Sequence, residues 1–127
     1  MPKQTLAVLP QKFSIYSLDV NAEIPKEVFN TPVYFIGKTN EELSLVVPDD
    51  IYIDAGECDN DWRALEVLGP LQLSMIGIMA DISSVLAQAK VSIFVVSTFE
   101  TDFFLVKDAD IQLAAQSLDR AGYKVII

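Results

Sequence analysis

The C-terminal half of this sequence predicts an α+β domain in which two helices connect four strands. Apolar residues recur three and four apart over 75–89 and again over 111–118, the period of an amphipathic helix. Between them lie two short β-branched and aromatic runs, 91–96 and 102–107. Gly69-Pro70 and Gly122 mark the breaks.

In chain order, Ala64-Leu65-Glu66-Val67-Leu68 alternates loosely and stops at Gly69-Pro70, which reads as a strand and a breaker. Ser74 is the expected N-cap of a helix whose inner face carries Met75, Ile78, Met79, Ile82, Val85, Leu86 and Ala89. Residues 91–96 form a strand near the middle of a sheet, 97–101 a polar turn, and 102–107 the returning strand. Asp108 caps a second helix that buries Ile111, Ala114, Ala115 and Leu118, and Gly122 suits its C′ position. Residues 123–127 close the set. The order is βαββαβ, the split βαβ of ferredoxin-like domains.

The N-terminal half is a less regular echo. Residues 13–18, 33–36 and 43–47 read as strands, and 25–29 as one helical turn. Val33-Tyr34-Phe35-Ile36-Gly37-Lys38-Thr39 parallels Ser92-Ile93-Phe94-Val95-Val96-Ser97-Thr98, and Leu43-Ser44-Leu45-Val46 parallels Phe103-Phe104-Leu105-Val106. This internal repeat predicts two similar units, 1–61 and 62–127, the first degenerate. Residues 48–61, with six acids, read as an acidic connector closing the first unit.

Composition excludes several function classes. At 127 residues with 51% apolar content, the chain has enough material for a sizeable core. It has no histidine and a single cysteine, Cys58, which removes histidine-dependent hydrolysis, phospho-histidine relays and intrachain disulfides. The net charge is −9, with 11 acids against 4 bases up to Trp62 and 7 against 5 beyond it. No basic face exists to displace counterions from nucleic acid or to hold an anionic membrane. The most apolar stretch, 71–96, is interrupted by Asp81 and Lys90, and no apolar leader follows Met1-Pro2-Lys3-Gln4. The expected setting is the cytoplasm.

Three phrases carry a family resemblance: Trp62-Arg63-Ala64-Leu65, Gly69-Pro70-Leu71 and Ser97-Thr98-Phe99-Glu100-Thr101-Asp102-Phe103, with Glu41-Glu42-Leu43-Ser44-Leu45-Val46 fitting the same pattern. The sequence resembles the tandem ACT-domain proteins of bacteria, the ACT repeats of the animal cytosolic arginine sensor and, more distantly, aspartate kinase regulatory domains. This resemblance implies a non-catalytic fold that binds free amino acids at interfaces between ACT units. The implied ligand contacts lie at the entry to the first helix (Ser74, Met75, Ile76, Gly77) and in the turn after the second strand (Ser97, Thr98, Phe99, Asp102). The chain is too short to hold as many ACT units as the arginine sensor, so an equivalent site implies a second subunit.

The chemistry of these residues suits a zwitterion. A helix's first turn offers unpaired amides and a positive dipole end to a carboxylate. Asp102 supplies an acceptor for an ammonium, and Ser97 and Thr98 add hydroxyls. Each residue also has a local explanation: Asp102 capping the turn, Ser97 and Thr98 as ordinary turn residues, Gly77 allowing close helix–sheet packing. An aromatic at the turn, Phe99, is expected to cover a ligand or a neighbouring subunit.

Other constellations give no chemistry. Asp59-Asn60-Asp61 lacks the glycine and the terminal glutamate of a calcium loop. Cys58 reads as an inert thiol, and Met75 and Met79 as core filling. Glu100 and Asp102 have no partner base. No cofactor or metal is expected. The reading is a regulatory module binding a free amino acid, paired as a homodimer and acting on an unnamed downstream protein. The alternative is an interaction or dimerisation module with a vestigial pocket. Two enzymes of ferredoxin-like fold fail: a nucleoside-diphosphate kinase for want of histidine, an acyl-phosphate hydrolase for want of a glycine-rich loop with arginine.

Overall fold

The computed structural model describes residues 3–68 and 76–127. Its strands are β1 (Thr5–Leu18), β2 (Phe35–Lys38), β3 (Leu43–Pro48), β4 (Glu57–Val67), β5 (Phe94–Ser97), β6 (Asp102–Lys107) and β7 (Lys124–Ile126). Its helices are α1 (Ile78–Gln88) and α2 (Ile111–Arg120). The chain divides into two compact units: one joins the segment ending at Pro10 to Arg63–Ile127, and the other is Gln11–Trp62. The inserted unit thus ends at Trp62, and the first residues of the chain group with the C-terminal unit.

In the C-terminal unit the strands run β7-β1-β4-β6-β5. The sequence leads to β4-α1-β5-β6-α2-β7, and the structure adds β1 between β7 and β4. Thr5, Leu6 and Ala7 pair in parallel with Lys124, Val125 and Ile126. Leu6 is fully buried beside Leu65, Val67, Phe104 and Val106, under Ile82 and Leu86 of α1 and Ala114 and Leu118 of α2. Strand alternation sends these side chains toward the helices, where their burial drives the packing.

Several boundaries move. The first helix begins at Ile78, with Gly77 at its N-cap in the left-handed region (φ 84°), rather than at an N-cap on Ser74. Ser74 itself lies outside the described residues, as do Met75 and the Gly69-Pro70-Leu71 breaker. Met79 faces outward rather than filling the core. The run at 91–96 pairs only from Phe94, because Val91 serves the end of α1. Asp108 opens a 3-10 turn, Asp108–Asp110, and Asp110 rather than Asp108 occupies the N-cap position of α2. Asp108 lies 3.4 Å from Arg63, whose guanidinium also donates to the Leu9 carbonyl.

Both helices end alike. Val91 N donates to Leu86 O and Lys90 N to Ala87 O, while Tyr123 N donates to Leu118 O and Gly122 N to Asp119 O. These are the paired bonds of a Schellman cap, whose C′ residue must be left-handed. Gly122 (φ 101°) fills it in α2, and Lys90 (φ 63°) in α1. Lys3 Nζ donates to Ala121 O at the end of α2 and lies 4.9 Å from the Tyr123 ring centroid.

The inserted unit has the order β2-β3-β1-β4, with β3 antiparallel to β2 and β1. A 3-10 helix, Lys26–Asn30, buries Val28 against Tyr16, Leu43, Leu45, Val47 and Ile53. The strand expected at 33–36 is shifted to Phe35–Lys38. The acidic connector expected over 48–61 is in part a strand, since β4 starts at Glu57. Between β3 and β4, residues 49–56 form no helix. Three aspartates in that stretch, Asp49, Asp50 and Asp54, deny it an apolar stripe.

Candidate functional site

The β5–β6 hairpin carries four of the expected site residues, Ser97, Thr98, Phe99 and Asp102. Ser97 pairs with Asp102 at its open end. The Ser97 hydroxyl donates to Asp102 Oδ1 over 2.7 Å. Thr98 closes the turn: its amide donates to Thr101 O at 2.8 Å, and its hydroxyl accepts from Thr101 N and donates to Thr101 O. Thr101 in turn donates its hydroxyl to the carbonyl of Val67, tying the turn to the end of β4. Phe99 projects from the tip, 79% exposed. The hairpin end thus carries the Asp102 and Glu100 carboxylates, the hydroxyls of Ser97, Thr98 and Thr101, and an uncovered ring.

Gly77 and Ile76 stand at the entry to α1. Asp81 N donates to Gly77 O as the first helical bond, and Asp81 Oδ2 lies 3.9 Å from where a Gly77 Cβ would be. That places a carboxylate in the first turn, where the dipole favours it. Ile76 is 92% exposed. Among the described residues, no hydrogen bond joins Ile76 or Gly77 to the hairpin. Ser74 and Met75 lie outside them.

The inserted unit has a hairpin of the same design. Thr39 N donates to Glu42 O at 3.0 Å, and the Thr39 hydroxyl accepts from the amides of Glu41 and Glu42. Thr39 thus does for β2–β3 what Thr98 does for β5–β6. Lys38 faces Leu43 where the C-terminal unit pairs Ser97 with Asp102, so only the latter carries a carboxylate there.

A concavity in the inserted unit escaped the sequence reading. A cleft of about 470 Å³ within the inserted unit is lined by Ser14, Tyr16, Asp49, Tyr52, Cys58, Asn60 and Asp61, among others. The Ser14 hydroxyl donates to Asn60 Oδ1 at 2.9 Å, and the Cys58 thiol lies 3.0 Å from the same oxygen. Tyr16 Oη accepts from Ile53 N at 3.4 Å and points to Ile51 O at 3.5 Å. Burial raises the Tyr16 phenol above 10.0; the Ile53 amide opposes this and Cys58 adds to it. The available signal was Ser14, a hydroxyl at an inward position of a strand flanked by Phe13 and Ile15. Among the described residues no group of three acids or cysteines is arranged to hold a metal ion. No described helix is long and apolar enough to cross a membrane.

A family model for the ACT domain matches residues 57–120, half of the chain. The chain belongs to the ACT-domain family. The crystal structure of protein Atu0741 from Agrobacterium tumefaciens is similar over 99% of this chain and 94% of that one, with 31% identity and a TM-score of 0.89. The fold of this ACT protein is also that of aspartokinase alpha and beta subunits, at 19% identity over 94% of this chain and 97% of the other (TM-score 0.69). The regulatory subunit of aspartate kinase from Thermus thermophilus matches 90% of this chain and 96% of its own at 10% identity (TM-score 0.62). A search of curated proteins gives no match.

Proposed function

We propose that this ACT-domain protein is a non-catalytic regulatory module that binds a free amino acid at the β5–β6 hairpin. The observation that carries the reading is Asp102, held by Ser97 on a hairpin that Thr101 ties to β4. A carboxylate fixed in this way offers an ammonium a strong, oriented acceptor. The entry to α1 supplies amides for the ligand's carboxylate, in competition with Asp81. The inserted unit is a second, degenerate ACT-like unit. Its matching hairpin lacks the aspartate, which leaves a single amino-acid position per chain. The exposed Phe99 and Ile76 are covered by a second copy in a cytoplasmic homodimer, and the ligand shifts the arrangement a downstream protein reads. The shared fold of the aspartate kinase regulatory subunit supports this reading.

The test is thermal unfolding against each of the twenty amino acids, with Asp102→Ala alongside. A ligand at about 100 times its Kd adds about 2.7 kcal/mol, and one amino acid is expected to raise Tm in the native chain and not in the variant. A second reading, an interaction module with a vestigial pocket, is favoured by Phe99 and by the Asp81 carboxylate at the helix entry. A folded dimer that responds to no amino acid would decide for it.

A further inference from the structure

The cleft of the inserted unit differs from the hairpin site in residues, chemistry and origin. It is bordered by residues of the 49–56 stretch, which forms no helix. Under α2 the sheet presents Leu65, Val67, Phe104 and Val106, an apolar bed for Ile111, Ala114 and Leu118. The walls and floor of the cleft instead mix Ser14, Tyr16, Cys58 and Asn60 with Ile51, Ile53 and Ala55. Ser14 is only 3% exposed and is hydrogen-bonded to Asn60, so polar groups are built into the floor. An apolar helix seated there would bury them against hydrocarbon, at a cost. The cleft therefore suits an occupant with polar ends on an apolar body, and its volume lies in the small-molecule range.

The charge of the lining narrows the class. Asp49 and Asp61 are its ionisable carboxylates, and no lysine or arginine lines it. Asp61 holds its place at φ 66°, a left-handed backbone that costs a non-glycine residue energy. Tyr52, 83% exposed at the rim, offers an aromatic face to a cation. An anion, or a zwitterion needing a partner for its carboxylate, finds no complement. We propose that this cleft binds a small organic cation bearing primary ammonium groups, seated on Asp49 and Asp61 over the Ser14–Asn60 floor. It is a site separate from the amino-acid position at Asp102.

The test uses 1,4-diaminobutane as probe and its uncharged isostere 1,4-butanediol as control, followed by amide chemical shifts at physiological salt. The diamine is expected to move the amides of Ser14, Tyr52, Asn60 and Asp61 in a saturable way, and the diol to move none. Asp61→Asn keeps a residue that tolerates the left-handed backbone and removes the charge. It should weaken the diamine about tenfold, with shifts elsewhere unchanged to show an intact fold. Asp49→Asn gives an independent second loss. Three results would overturn the proposal: no response, a response spread evenly over exposed acids such as Glu23 and Asp119, or full binding by both variants.

Discussion

The Ser97 hydroxyl donates to the Asp102 carboxylate across 2.7 Å, at the open end of the β5–β6 hairpin. The bond fixes a negative charge in one rotamer at the mouth of the proposed site. It converts a mobile surface aspartate into an oriented acceptor, so less ordering remains for a ligand to impose.

Ser97→Ala is therefore expected to cost the free protein no more than about 1 kcal/mol, since the bond is exposed. Effector affinity should fall several-fold while Asp102 is still present. Calorimetric titration with the amino acid found by thermal unfolding measures it. Unchanged affinity would remove Ser97 from the site.

The two helix ends make opposite predictions. Lys90 carries a left-handed backbone that glycine adopts without strain, so Lys90→Gly should stabilise by about 1 kcal/mol. Gly122→Ala should destabilise by at least that amount, its new Cβ also meeting Lys3 Cδ at 3.5 Å. Urea midpoints at constant slope would show the two shifts; a shared sign would refute the shared capping geometry.

Leu118 is fully buried between α2 and the sheet, and Leu113 on the same helix is 41% exposed. Leu118→Ala should cost about 2–5 kcal/mol, whereas Leu113→Ala should stay within about 0.5 kcal/mol. Equilibrium denaturation separates them.

Tyr16 and Tyr123 both have phenols raised above 10.0, chiefly by burial, with the Asp81 charge adding to the second. The folded state thus holds these protons more tightly than the unfolded chain. Their contribution is complete below the unfolded value of about 10 and is lost as pH rises through the raised folded values. Stability should fall over that alkaline range. Tyr123→Phe should flatten the fall, and a profile identical to the native one would exclude Tyr123 as its source.

Much of the C-terminal unit was legible because its signals are local. The inward face of α2, Ile111, Ala114, Ala115 and Leu118, is buried as its spacing predicts, and β6 has the expected bounds. The place of β1 beside β7 was not legible, because a parallel pairing across most of the chain leaves no trace in a short window. The start of α1 was misplaced because Ser74 is a good cap by type, whereas Gly77 begins the helix through its left-handed backbone. The Ser97–Asp102 pairing was not legible either, since Ser97 reads as a turn residue by type and the structure places it at the end of β5. Nor was the cleft, because its lining comes from segments far apart in the chain and periodicity reports only local elements.

The parallel pairing of Thr5–Ala7 with Lys124–Ile126 has a consequence for the order in which the molecule assembles. Gln11–Trp62 is one uninterrupted stretch and can condense from contacts close in sequence. The other unit is complete only when partners as far apart as Lys3 and Ala121, 118 positions along the chain, have met. Closing so long a loop is entropically late and slow. Pulse-labelled hydrogen exchange during refolding would therefore find the Tyr16 amide shielded well before that of Leu6.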